Sequence, residues 1–262
     1  MGGLTMLISA IMPSHILDDK FKKSLESLMA QDYNNYEIIV VSDNNEELID
    51  YINQNYPIVK THNTFYDGMG VSKARNIGAD NANGELLVFI DSDCICPPDL
   101  LTKYSENYTP FCLLVGGIIH WDIINNKIIH EEYRSVFNID KYNANPNKWW
   151  WNHDNWGEHH ILDFYTANVG VCKYSFDEIG GFDEELKGLE DMYFALEHYS
   201  LFEKIKFINT YVKHLYEPID WRLDSDIYDW KVYHNKVINN YPHFAHNEHF
   251  KKFIQMLEEG KI

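Results

Sequence analysis

The chain has 262 residues, 45% of them hydrophobic, enough for one sizeable core or two small ones. Its 22 Lys and Arg stand against 40 Asp and Glu, a net charge of −18, which argues against a nucleic-acid or anionic-membrane partner and leaves only peripheral membrane contact open. A phosphate-bearing ligand would then need a local positive centre, such as a metal or a placed Arg, and the 15% aromatic content suits flat ligands or a well-packed core.

Residues 6–12 read as a buried strand ended by Pro13-Ser14-His15. The apolar run over 4–12 has no basic flank or small-residue cleavage site and is far below the ~20 residues of a membrane span, so no leader or transmembrane segment is expected. Residues 18–30 carry Phe21, Leu25, Leu28 and Met29 at amphipathic-helix spacing, with Asp18 or Asp19 as the cap. A second buried strand over 36–41 runs into Ser42-Asp43-Asn44-Asn45. A helix over 46–54 and a strand near Ile58-Val59-Lys60 complete the next unit. Residues 68–80 read as a loop entering a helix, with Val71, Ala74, Ile77 and Gly78 on one face and Lys73 and Arg75 among its few cations. Asn83-Gly84 is a turn signal before the next strand. This β-α-β-α-β-α-β order argues for a parallel sheet with right-handed crossovers.

That next strand, Leu86-Leu87-Val88-Phe89-Ile90, is apolar throughout and runs straight into Asp91-Ser92-Asp93. A strand buried on both faces cannot keep bare carboxylates inside, so they must emerge at its C-terminal edge, where open α/β sheets bind ligands. Two carboxylates that close suit a hard cation, Mg²⁺ or Mn²⁺. They are equally readable as the cap of a helix begun by Pro97-Pro98-Asp99.

Further on, residues 112–120 read as a strand, with a hairpin around Asn125-Asn126. Residues 143–160 break the pattern with Trp149, Trp150, Trp151 and Trp156, which either pack down or face a ligand. Residues 165–171 are strand-like, Gly180-Gly181-Phe182-Asp183-Glu184 is a turn, and Leu189, Met192, Tyr193, Leu196 and Tyr199 mark one face of a helix. Glu190 and Asp191 sit at its start, where the helix dipole favours anions. Cys94, Cys96, Cys112 and Cys172 form no CxxC pair and read as buried thiols in a reducing, cytoplasmic setting.

Several of these stretches together resemble a family 2 glycosyltransferase of the GT-A fold. They are residues 27–33 with 37–43, Val71-Ser72-Lys73-Ala74-Arg75-Asn76-Ile77-Gly78, Asp91-Ser92-Asp93, and Gly180-Gly181-Phe182-Asp183-Glu184 followed by Glu190-Asp191. The likeness runs over roughly residues 4 to 216, in the family's order. It implies a Rossmann-like, mixed, mostly parallel sheet with flanking helices. Residues 1–110 would form the nucleotide-sugar half and 111–216 the acceptor and catalytic half of the same domain, with 217–262 a helical extension.

The resemblance also implies roles. Pro13, Ser14 and His15 would line the donor site, His15 in place of a usual tyrosine. Asp43 would hydrogen-bond the base of a UDP-sugar; by itself it also reads as an Asx turn closing a strand. Arg75 would approach the nucleotide or its diphosphate, Asp91 the ribose with Ser92 beside it, and Asp93 a Mn²⁺ or Mg²⁺ ion. His214 would complete the metal site, although a lone His in an apolar strand is more often a core residue. Asp191, with Glu190 adjacent, would be the base that deprotonates a carbohydrate or glycoconjugate acceptor, with inversion at the sugar. Trp156, Asn168 and Gly181 fall in the acceptor half as acceptor contacts. Two other classes stay open. A sugar-nucleotide nucleotidyltransferase would want a glycine-rich loop where Pro13-Ser14-His15-Ile16 stands. A non-catalytic nucleotide-sugar binder could share the fold.

Overall fold

The computed structural model describes residues 5–65, 70–122, 127–128, 164–216, 230–242, 250–251 and 254–255. Strand β1 (Ile8–Ser14) is buried along its whole length. It pairs in parallel with β2 (Tyr36–Ser42) on one side and β4 (Leu86–Ile90) on the other, and β2 pairs in parallel with β3 (Lys60–Asn63). Pro13 does not end β1 as expected. Pairing with β4 stops at Ile11↔Phe89 while pairing with β2 runs on to Ser14↔Ser42. From Pro13 onward one flank therefore carries no ladder, and a residue without an N–H is tolerated there.

The crossovers are α1 (Asp19–Met29), α2 (Glu46–Asn55) and α3 (Val71–Asp80). Asp18 caps α1 by accepting from the Phe21 N–H at 2.8 Å, and Phe21, Leu25 and Leu28 are buried at the expected spacing. Asn45 caps α2 through the Leu48 N–H at 3.0 Å. Helix α3 lies close on β1, because a Cβ on Gly78 would stand 2.4 Å from Ile11 Cγ2. The two-residue β5 (Cys94–Ile95) and α4 (Leu100–Asn107) follow β4.

Among the described residues, the second half completes a nine-stranded sheet. Strand β6 (Leu113–Asp122) folds back on β7 (Lys127–Ile128) through Trp121↔Ile128, the hairpin the sequence suggested. Strand β8 (Asn168–Cys172) runs antiparallel between β4 and β6. Helices α5 (Lys173–Ile179) and α6 (Glu190–Phe202) lead into β9 (Ile205–Tyr216), which lies parallel to β6. Helix α7 (Trp230–Asn240) follows. Alternation along the strands splits the core in two. Ile11, Leu87 and Phe89 face one cluster with Phe176, Phe182 and Phe194. Ile8, Met12, Val88 and Ile90 face the other with Phe21, Leu25 and Tyr104. The four cysteines are buried and free. Among the described residues no helix is long and apolar enough to cross a membrane.

Candidate active site

The carboxyl ends of β1, β2 and β4 meet the start of α3 and the end of β9 around a cleft of about 220 Å³. Its walls hold Pro13, Ser14 and His15 from β1 and its exit, Asp43 after β2, Asp91, Ser92 and Asp93 after β4, and His214 from β9. Val71, Ala74 and Arg75 of α3 complete it. The donor and metal positions read from the sequence thus converge on one concavity at the sheet's C-terminal edge.

Asp43 is not the turn-closing residue of β2. Ser42 does that, its Oγ accepting from the Asn45 N–H at 2.9 Å and donating to the Asn45 carbonyl at 2.8 Å. Asp43 instead accepts from Thr64 Oγ1 at 2.8 Å and from the Gly70 N–H at 2.9 Å. A carboxylate offers about four lone-pair sites, so two remain open among the described residues. Val71 and Ala74 are read in the sequence only as a helix face, and no chemical signal in Thr64 or Gly70 marks them as partners of Asp43.

Asp93 and His214 come together through a short pairing of β5 with β9, Cys94↔His214. The Leu215 N–H also donates to the Asp93 carbonyl at 2.8 Å. His214 Nε2 lies 3.2 Å from Asp93 Oδ2. Burial works against both charges, but their contact outweighs it, holding the Asp93 carboxyl below its ordinary range and the His214 imidazole above its own. Among the described residues no group of three or more His, Cys, Asp and Glu forms a metal cage. One carboxylate and one imidazole still fit a divalent ion that travels with a diphosphate, since Mg²⁺ in such sites takes one or two carboxylates and leaves the rest to phosphate and water. Asp91 and Asp93 do not cap a helix: α4 starts at Asp99 with no side-chain cap bond.

Helix α3 ties this donor side to the second half of the chain through two consecutive residues. Arg75 donates from Nη1 to Glu190 Oε1 at 2.7 Å and from Nη2 to Asp91 Oδ1 at 3.0 Å. Its side chain is 5% exposed and that of Glu190 7%. Arg75 therefore borders the cleft while Nη1 and Nη2 each give one N–H to a carboxylate, which leaves the expected approach to a diphosphate untested. Asn76 donates to the Phe182 carbonyl at 2.9 Å and to Glu184 Oε1 at 3.0 Å, and accepts from the Phe182 N–H at 2.8 Å. Gly181, at φ +82°, is where this loop presses on Asn76: a Cβ there would stand 2.6 Å from Asn76 Oδ1. A residue without a Cβ is needed for that close approach, and the expected acceptor contact of Gly181 is not tested by it.

Asn168 departs from its expected acceptor role. It is fully buried in β8, accepts from Tyr104 Oη at 2.8 Å and donates to the Gly117 carbonyl at 2.9 Å, so it closes hydrogen bonds inside the sheet. Trp156 lies outside the described residues. Glu190 and Asp191 open α6 behind Arg75, off the cleft wall. Burial, then repulsion from Glu190, pushes the Asp191 carboxyl up to about 8, with Arg75 opposing. Helix α7 braces this region from the far side. Lys236 reaches Asp183 at 2.6 Å and Glu185 at 2.7 Å, and Asn240 donates to Tyr193 Oη at 2.8 Å.

A largely parallel sheet ending in an acid-rich cleft and continued through the antiparallel β8 is a GT-A architecture. Residues 9–182 match the family described as Glycosyl transferase family 2, and the chain belongs to that family. It is 25% identical over 190 residues to the glucosyl-dolichyl phosphate glucuronosyltransferase of Haloferax volcanii, covering 68% of this chain and 56% of that protein. It is 34% identical over 93 residues to the uncharacterized glycosyltransferase YibD of Escherichia coli, covering 34% of this chain and 26% of that protein. The chain thus spans about half or less of the length of these relatives. Among solved structures, residues 1–349 of S. aureus TarS superimpose with a TM-score of 0.60 at 18% identity, covering 89% of this chain and 66% of that one. That likeness establishes the GT-A fold.

Proposed function

We propose that this chain transfers a sugar from a UDP-sugar to an acceptor hydroxyl with inversion, using a divalent cation. The observation that carries the reading is the cleft itself. Residues from 13 to 214 in the sequence, chosen for base, ribose and cation chemistry, line one concavity of about 220 Å³. In this reading Asp43 accepts from the N3–H of uracil with its remaining lone pairs, and Asp91 meets the ribose hydroxyls. Asp93 and His214 would hold Mn²⁺ or Mg²⁺, which when bound neutralises the charge that grows on the departing diphosphate. Asp191 takes the proton of the attacking hydroxyl. One base and one displacement invert the anomeric carbon, whereas a covalent route would need a second carboxylate placed as nucleophile. A glycoconjugate acceptor agrees with the Haloferax relative, whose name gives a glucosyl-dolichyl phosphate as the species glycosylated.

The test is UDP release from a panel of UDP-sugars with Mn²⁺, with and without a panel of acceptors. Release with no donor in the panel would overturn the reading. Two substitutions sharpen it. Asp93→Ala should abolish Mn²⁺-dependent UDP binding while the fold survives, because the side chain is one-third exposed at a strand edge. Calorimetry with and without Mn²⁺ checks this, and an unchanged metal dependence removes Asp93 from the site. Asp43→Ala should weaken UDP binding by about 1.5–3 kcal/mol, the range for a hydrogen bond to a charged group. Equal wild-type affinity for UDP and for other nucleoside diphosphates would take away the reason for that assignment.

A further inference from the structure

The guanidinium of Arg75 is held in an arrangement that leaves part of its neighbourhood unsatisfied. Its two terminal nitrogens could clasp one carboxylate as a fork. Here they are split, Nη1 on Glu190 and Nη2 on Asp91. Glu190 Oε2 and Arg75 Nε are both buried and, among the described residues, have no hydrogen-bond partner. A buried network with an orphaned charged oxygen is only half made, and such networks favour any rearrangement that completes them.

One rearrangement supplies the partner that Glu190 Oε2 lacks. If Asp91 turned into the cleft it lines, Nη2 would be released, and Nη1 and Nη2 together could meet both oxygens of Glu190. Asp91 has the freedom to turn, with a side chain one-third exposed, whereas Arg75 and Glu190 are sealed. A second observation lies on the other side of Glu190. The backbone entering α6 is left-handed at two successive residues, Gly188 at φ +77° and Leu189 at φ +61°, and the helix has no side-chain cap bond. A left-handed leucine is strained, so the first turn of α6 is held by side chains, through the grip of Arg75 on Glu190 and the Met192 N–H donating to Asp191 Oδ1 at 2.8 Å.

We infer that Arg75 is a two-position tie, split between Asp91 and Glu190 as seen here and clasping Glu190 with both terminal nitrogens once Asp91 turns to a nucleotide donor. Donor binding then sets the placement of the first turn of α6, and with it Asp191. Arg75 and Glu190 are positioning residues in this scheme. It rests on the proposed function for the roles of Asp91 and Asp191, and adds a discrete element that both sites bias. By reciprocity, weakening the clasp must weaken donor binding, although Glu190 is not part of the cleft wall.

The experiment measures Kd for UDP with Mn²⁺ by calorimetry, with GDP, CDP and ADP as alternatives, on the wild type and on Glu190→Gln. Amide hydrogen exchange of residues 190–193 is followed with and without the tightest of these nucleotides. Gln offers one oxygen and a clashing NH₂, so the fork cannot form. The expected result is a loss of at least fivefold in affinity, the low end of the about 5- to 150-fold typical of coupled sites. Protection of 190–193 should rise on binding in the wild type and not in the variant. Wild-type binding with unchanged exchange, or a variant Kd within twofold of wild type, overturns the tie and leaves the proposed function standing. If no nucleotide binds the wild type, both fall. Should Glu190→Gln fail to fold, the wild-type exchange result decides alone.

Discussion

Asp191→Asn is expected to lower sugar transfer by about 10²–10⁴-fold while UDP-sugar binding stays near wild type, the share a general base usually supplies. The amide keeps the shape of the carboxylate but cannot accept the proton. The alternative role, a first-turn acid that steadies a helix, predicts hardly any loss of activity, because Asn is tolerated at helix starts. The pH dependence separates the two further. A base must be ionised, and burial beside Glu190 pushes Asp191 up to about 8. The wild-type kcat/KM should therefore rise with pH and level off above about 8. Glu190→Gln removes the neighbouring like charge and should move that rise to lower pH. The same shift carries a stability signature. A carboxyl whose folded-state affinity for protons exceeds its unfolded one gives stability that is complete below the unfolded value of about 4 and is lost as pH climbs through the folded value. Asp191→Asn should accordingly stabilise the fold at pH 8–9, by on the order of 1–3 kcal/mol, even as it removes activity. Denaturant titrations at pH 5 and pH 9 check it, and equal effects at both would deny the elevated proton affinity.

Much of the cleft is legible in the sequence because its acids sit on strand ends. Leu86–Ile90 is apolar throughout, so the acids after it had to emerge at the sheet edge, and they do. The same logic placed Asp43 beyond β2. Where the signal was tertiary, it was not readable. Side-chain preference puts β3 near Ile58-Val59-Lys60. It lies at Lys60–Asn63, because pairing with β2 begins at Ile39↔Lys60, whatever the local preference. Helix α5 was missed: seven residues are too few to display a helical period, and Gly180, at φ +91°, marks its end as a left-handed cap. The two-residue β5 has no sequence signature at all, yet its pairing is what delivers His214 to Asp93. Arg75 and Asn76 could be seen as a motif, but not as a tie. Their partners, Glu190 and Phe182, lie more than 100 residues away, with separations of 115 and 106.

That distance is the reason Arg75→Met should be among the most destabilising substitutions in the chain. The change removes the cation from a pair whose members are 5% and 7% exposed, leaving the Glu190 carboxylate sealed without a partner. Breaking a buried pair in this way costs about 3–5 kcal/mol, whereas losing an exposed ion pair costs about 0–1. Asn76 is untouched, so the loop at Phe182 stays held, and the loss should register at the start of α6 first. The double substitution Arg75→Met with Glu190→Leu tests the cause. Replacing both members of a buried pair by apolar groups of similar volume is often close to neutral, so the double variant should recover at least half of the stability lost by the single one. Asp91 does not prevent this, because at one-third exposure it can turn to water. Urea titrations of wild type, single and double variants give the cycle. A single variant within about 1 kcal/mol of wild type would mean that the pair behaves as an exposed one. Activity should not follow stability: the double variant regains a packed helix start but has lost both members of the Arg75–Glu190 contact that holds α6, so transfer should stay low while the fold returns.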